Sequence, residues 1–127
     1  MELRLVLTVD DLDRALTFYR DTLGLEQLEE WISPAGAHGV LLDGGRATLE
    51  LFNEAQAALV DEIEVGRRVA GPVRVAFRVG DSDAVARTLV AAGGTQLAEP
   101  VTTPWNDRNV RVHAPDGMQL TLFSVVD

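Results

Sequence analysis

Cysteine is absent from the 127 residues, which excludes disulfides, thiolate nucleophiles and thiolate metal sites and leaves the redox compartment open. Positive charge is scarce as well. Eleven basic residues stand against twenty acidic ones, the net charge is -9, and the longest basic run is Arg67-Arg68. That balance argues against nucleic acid as a partner, and it reads first as solubility rather than as attraction for a cationic ligand. No apolar run approaches the ~20 residues of a membrane span, so no membrane association is expected. The N-terminus lacks the basic and then apolar segments of a signal peptide, and a cytoplasmic protein is expected. What remains is an ordinary globular composition, 46% hydrophobic and 24% charged, in a length that suits one domain.

The chain opens on strict alternation. Leu3, Leu5, Leu7 and Val9 point one way and Arg4, Val6 and Thr8 the other, the period of a strand laid on a core. The segment "LRLVLTVDDLDRALTFYRDTLG" from Leu3 aligns without gaps with "VRVAFRVGDSDAVARTLVAAGG" from Val73, so that Arg4 meets Arg74, Asp11 meets Asp81 and Gly24 meets Gly94. Two copies of one module are implied. Each passes from its strand through an aspartate suited to capping a helix. Leu12, Ala15, Leu16, Tyr19 and Leu23 then recur at helical spacing in the first copy, and Val85, Leu89 and Ala92 in the second, before glycines end both. Strands are predicted over 26–32, 39–43 and 47–52, and again over 95–102, 109–113 and 118–125, with "DGG" at Asp43 to Gly45 as a hairpin turn. The single domain 1–127 thus divides into modules 1–53 and 72–127. The linker, 54–71, could hold a short helix at 54–60 but mainly suggests a surface connection.

"VDDLDRALTFYRDTLGLE", "FRVGDSDAVARTLVAAGG" and "TPWNDRNVRVHAPDGMQLTLF" together resemble the vicinal oxygen chelate superfamily of glyoxalases, extradiol dioxygenases and bleomycin-resistance proteins. The third phrase is similar to one of the bleomycin-resistance-like branch, with Asn106 where that pattern has glycine and Ala114 where it has aspartate. The resemblance implies an α+β fold in which two βαβββ modules form an eight-stranded incomplete barrel around a cleft, often in a homodimer. Helices on the outside would cover Leu3, Leu5, Leu7 and Val9. The alternate residues would line the cleft: Arg4, Val6 and Thr8, then Thr48, Glu50 and Phe52, then Arg74, Ala76 and Arg78, then Gln119, Thr121 and Phe123.

In metal-dependent members four cleft positions supply ligands, and by motif these fall on Arg4, Glu50, Arg74 and Thr121. Arginine stays cationic and has no lone pair to give, so no metal and no other cofactor is expected. Two guanidinium groups and one carboxylate leave about one positive charge, suited to a carboxylate or phosphate ligand. Alternatively Glu50 bridges Arg4 and Arg74 structurally, and both can hold. Bleomycin-resistance proteins instead sequester a cationic, aromatic drug, for which Trp31 and Trp105 could stack, unless they pack at a module edge or dimer interface. His38 and His113 occupy no ligand position and read as surface or loop residues. Phe18 and Tyr19 read as core or dimer contacts. No catalytic Ser/His/Asp set can be named.

The reading is therefore a metal-free, homodimeric binder of an antibiotic or a small anionic metabolite. Arg4, Glu50, Arg74, Arg78 and Thr121 are its polar groups, and Phe52, Phe123, Trp31 and Trp105 its walls. The alternative is a lyase, isomerase or dioxygenase-type oxidoreductase acting in the same cleft, with Glu50 as a base.

Overall fold

The computed structural model describes residues 1–126. In chain order its elements are β1 (Glu2–Thr8), α1 (Leu12–Leu16), β2 (Gln27–Ile32), β3 (His38–Asp43), β4 (Thr48–Phe52) and α2 (Glu54–Glu64). They are followed by β5 (Val73–Arg78), α3 (Ser82–Ala91), β6 (Thr95–Gln96), β7 (Val101–Thr102), β8 (Asp107–His113) and β9 (Gln119–Val125). One open sheet runs β2-β3-β4-β1-β5-β9-β8-β6, with β7 also pairing with β8. The two copies meet at its centre, where β1 and β5 lie antiparallel with Arg4 opposite Ala76. The repeat extends to register: β1 runs parallel to β4 with Val6 opposite Glu50, and β5 runs parallel to β9 with Ala76 opposite Thr121.

The same local chemistry starts and stops the two outer helices. Asp11 Oδ1 accepts from the Arg14 N–H at 3.0 Å, and Asp81 Oδ1 accepts from the Ala84 N–H at 3.0 Å. After α1 a π-helical turn, Thr17–Thr22, continues the coil to Gly24, which has φ +92°. Leu12 and Leu16 pack on Val40, Leu42, Leu49 and Leu51, while Ala86 of α3 packs on Val110, Val112 and Leu122. No helix among the described residues is long and apolar enough to cross a membrane.

Three expectations change. The sheet has nine strands rather than eight, because the strand predicted over 95–102 is two short ones. Gln96 pairs with Val112 and Val101 with Asn109, so four residues on one side span two of β8, and Pro100 among them has no N–H for a ladder. On the convex face only Leu7 and Val9 join the α1 cluster, whereas Leu3 and Leu5 lie beyond the helix and stay more than a third exposed. At Asn106 the backbone has φ +65°, which explains how asparagine can replace the glycine of the related motif. An Asn106→Val variant is expected to cost roughly 1–2 kcal/mol, read as a lower urea midpoint, whereas Asn106→Gly should be close to neutral.

The third change matters most. The connection between modules is not mainly a surface segment but the three-turn helix α2, capped by Asn53 Oδ1 on the Gln56 N–H at 2.8 Å. It lies against the concave face, where Ala57 and Val60 pack with Val6, Phe52, Ala76 and Phe123. One side of the helix, Gln56, Ala57, Val60, Asp61 and Glu64, is buried.

Candidate functional site

The inner residues of both modules and one side of α2 enclose a cleft of about 290 Å³. Arg4, Trp31, Glu50 and Phe52 line it from the first module, and Arg74, Arg78, Trp105, Thr121 and Phe123 from the second. Val6, Thr8, Thr48 and Gln119 share the concave strand faces but do not border the cavity; Val6 is packed with Ala57 and Val60 of α2. Thr48 instead donates to Glu2 Oε2 at 3.1 Å, and Gln119 is tied to Arg111. His38 pairs with Glu30 at 2.8 Å and His113 approaches Gln119 at 3.3 Å, neither of them on the cleft.

The central β1–β5 seam makes the two arginines cross over. Arg4 lies above the Phe123 ring of the other module, 5.0 Å from its centroid, and Arg74 lies above Phe52, 5.8 Å away. Each cation thus rests on an aromatic face, an attractive arrangement in a partly dry site. Their partners differ. Arg4 donates to Glu2 at 2.9 Å, and its Nη1 is 3.7 Å from Glu50 Oε2. Arg74 is 5% exposed and donates from Nη1 to Thr121 Oγ1 at 2.8 Å, yet it forms no ion pair among the described residues. The bridge imagined from sequence is therefore half made: Glu50 pairs with Arg4 and leaves Arg74 without a carboxylate in contact.

Burial first, and the neighbouring Arg111 cation second, push the Arg74 pKa down against the pull of Glu64, Glu50 and Asp61. Burial also pushes the Glu50 carboxyl up, only partly opposed by Arg74 and Arg4. Asp107 moves upward too, again from burial, although Arg4 and the Trp105 side chain favour its charged form. A folded-state pKa above the unfolded value means that the charged carboxylate weakens the fold, and that stability rises as pH falls into the window between the two values. Glu50→Gln is therefore expected to melt higher than the parent at pH 7. The difference should shrink in acid, which thermal unfolding at several pH values would read out.

The positions implied for a metal, Arg4, Glu50, Arg74 and Thr121, do converge, but they do not suit a divalent cation. Two guanidinium groups occupy the space and one buried carboxylate is the only strong oxygen donor of the four. No group of three or more His, Asp or Glu side chains fit to hold a metal occurs among the described residues. Every basic side chain in the chain is an arginine, so no lysine amine is available for Schiff-base chemistry.

Sequence reasoning missed what α2 brings. Gln56, Val60 and Glu64 line the cleft, with Glu29, Asp107, Asn109 and Val125 from the strands. Behind them Arg111, 1% exposed, donates from Nη1 to Asp61 Oδ1 and Gln119 Oε1 and from Nε to Glu64 Oε1, each at 2.8 Å. Asp61 Oδ2 accepts from Arg68 at 2.8 Å and from the N–H groups of Val69 and Ala70 at 2.7 and 2.8 Å. The signal was an arginine between Val110 and Val112 in a strand with a buried inner face, matched by Asp61 and Glu64 at helical spacing.

Two βαβββ modules in this register, curling together into one concave face, define a fold of a particular class. The chain belongs to the glyoxalase/bleomycin resistance protein/dioxygenase superfamily, whose family model matches residues 3–122. An uncharacterized protein of Mycolicibacterium smegmatis is 32% identical over 119 residues, which cover 94% of this chain and 89% of the relative. Among solved structures, a hypothetical protein of Bacillus halodurans superposes with a TM-score of 0.72 at 18% identity, covering 98% of this chain and 93% of the other. A Streptomyces coelicolor methylmalonyl-CoA epimerase variant in complex with 2-nitronate-propionyl-CoA has a TM-score of 0.66 at 26% identity, covering 96% and 92%.

Proposed function

We propose that the cleft binds a small molecule through a carboxylate or phosphate, without a metal, and that Arg74 is the anchor. The observation that carries this reading is a buried guanidinium with no carboxylate in contact. Such a cation is costly to keep dry unless a counter-charge reaches it, and an arginine fork suits two oxygens of one anion. Thr121 accepts from Arg74 and so has its own O–H left to give the same anion. Arg4 and Arg78 add positive charge above it, and Phe52 and Phe123 supply the apolar wall.

Calorimetric titration with short carboxylates, phosphate monoesters and acyl-CoA thioesters tests the proposal. The chain has two tryptophans, Trp31 and Trp105, and both border the cleft, so their emission is expected to change in step with the heat. No heat and no change with any of these anions would remove the reading. Bleomycin belongs in the same series. Saturable binding of that cationic drug, with none of the acids, would transfer the cleft to the antibiotic-sequestering branch.

A second reading is favoured by the raised pKa of Glu50, which suits a proton acceptor, and by an epimerase among the relatives. In it the cleft is that of an isomerase, and Glu50 removes a proton next to a carbonyl. Incubation with propionyl-CoA in D₂O distinguishes the two: deuterium at the acyl C2 would make the protein an enzyme, and binding without exchange would make it a carrier or sequestering protein. We also propose a cytoplasmic homodimer. The half-exposed Leu3, Leu5 and Val73 line the antiparallel β1–β5 seam, whose local two-fold character suits a second copy, and light scattering of the purified chain checks its mass.

A further inference from the structure

We propose that the ligand of this cleft is a zwitterion, its acid held by Arg74 and an ammonium group a few carbons away held by Glu50. The inference rests on the anion reading of Arg74 and narrows the ligand class.

Glu50 and Arg74 lie in one row of the sheet, because β1 sets Val6 opposite each of them. Two strand spacings put their Cα atoms about 10 Å apart, and both side chains border the same cavity. They carry opposite charges and are not in contact. Arg74 gives Nη1 to Thr121 at 2.8 Å, and its Nε and Nη2 donate to nothing among the described residues. Glu50 is 8% exposed, yet its carboxylate accepts no hydrogen bond among the described residues, and its ion contact with Arg4 Nη1, at 3.7 Å, is too long to be one. The side-chain atoms sealed off without a partner belong to Gln56, Asn109 and Arg111, so the free Glu50 oxygens and Arg74 N–H groups keep accessible surface. Arg4 cannot balance Glu50 by itself. It donates to Glu2 at 2.9 Å and also faces the charges of Glu29 and Asp107, so one guanidinium serves four carboxylates. Burial, only partly opposed by Arg74 and Arg4, pushes the Glu50 carboxyl up, and a further cation is what would reverse it. A simple acid seated on Arg74 adds a second negative charge near Glu50. An ammonium on the same molecule removes that repulsion and brings N–H donors to a carboxylate that has none.

Titration calorimetry at neutral pH with butyrate, 1-butylamine and the 2-, 3- and 4-aminobutyrates, both enantiomers where they exist, tests this. At least one aminobutyrate is expected to bind about 10-fold tighter than butyrate, the worth of a hydrogen bond between charged groups. In Glu50→Gln, a variant expected to fold at least as stably as the parent, that preference is expected to fall toward unity. Butyrate binding as tightly as every aminobutyrate would overturn the inference while leaving the Arg74 anchor standing. A preference undiminished in Glu50→Gln would overturn the role given to Glu50. 1-Butylamine binding as tightly as the best aminobutyrate, or no binding of any acid, would overturn the anion reading and this inference with it.

Discussion

An Arg74→Met variant is expected to lose about 100-fold in affinity for a carboxylate ligand while melting no lower than the parent chain. The two halves of this result have one cause. In the ligand-free cleft Arg74 is desolvated, rests on Phe52 and has Arg111 as a like-charged neighbour, with one hydroxyl and no carboxylate in contact. Methionine keeps much of the volume and the contact with the ring and removes a buried charge, so the fold has little to lose. The bound state, by contrast, loses the fork that meets two oxygens of the anion and leaves that anion buried without its counter-charge. Calorimetry and thermal unfolding on the same preparations measure both quantities. A large fall in melting temperature with affinity unchanged would make Arg74 a structural residue and end the anion reading.

Asp61→Ala is expected to cost roughly 3–5 kcal/mol of folding stability, a large share of the total for a domain of this size. Asp61 is 1% exposed, and its carboxylate holds Arg111, Arg68 and two backbone N–H groups together. Removing it leaves Arg111 buried with Glu64 as its only remaining carboxylate and strands the N–H groups of Val69 and Ala70. Were the segment a surface connection, the same substitution would fall within about 0.5 kcal/mol. Urea unfolding, with the slope checked for constancy, separates the two outcomes. The pH dependence adds a signature. Burial alone would push the Asp61 carboxyl up, but the N–H groups of Ala70 and Val69 and the Arg111 guanidinium outweigh it and hold it below the usual range. Its contribution is therefore full above the ordinary aspartate pKa and is lost as pH falls through the lower folded value, so Asp61→Asn is expected to flatten the acid side of the stability profile.

Much of the site was legible because a strand's period is short-range. Alternation alone places Arg4, Glu50, Phe52, Arg74, Arg78, Thr121 and Phe123 on one face, and the repeat aligns the two halves of that face; all seven border the cleft. The same rule misjudged Thr48 and Gln119, since sharing a face does not say which part of it another element covers. It also placed Leu3 and Leu5 beneath a helix that is too short to reach them. The capping aspartates, the glycine stops and the hairpin turn were legible for a similar reason, each being decided within about four residues.

What the sequence by itself determined is thus the two-module α+β plan, the inward set of residues on the strands, and the absence of thiol and lysine chemistry. Only the tertiary structure decided that Glu50 would pair with Arg4 and not with Arg74, that each arginine would rest on the other module's phenylalanine, and that α2 would enter the concave face. The charges of α2 suggested solvent when read alone. Asp61 and Glu64 are buried because Arg111, fifty and forty-seven residues further along the chain, offers its guanidinium from the opposite wall. A charged residue's burial depends on a partner brought to it through space, and no local pattern records that partner.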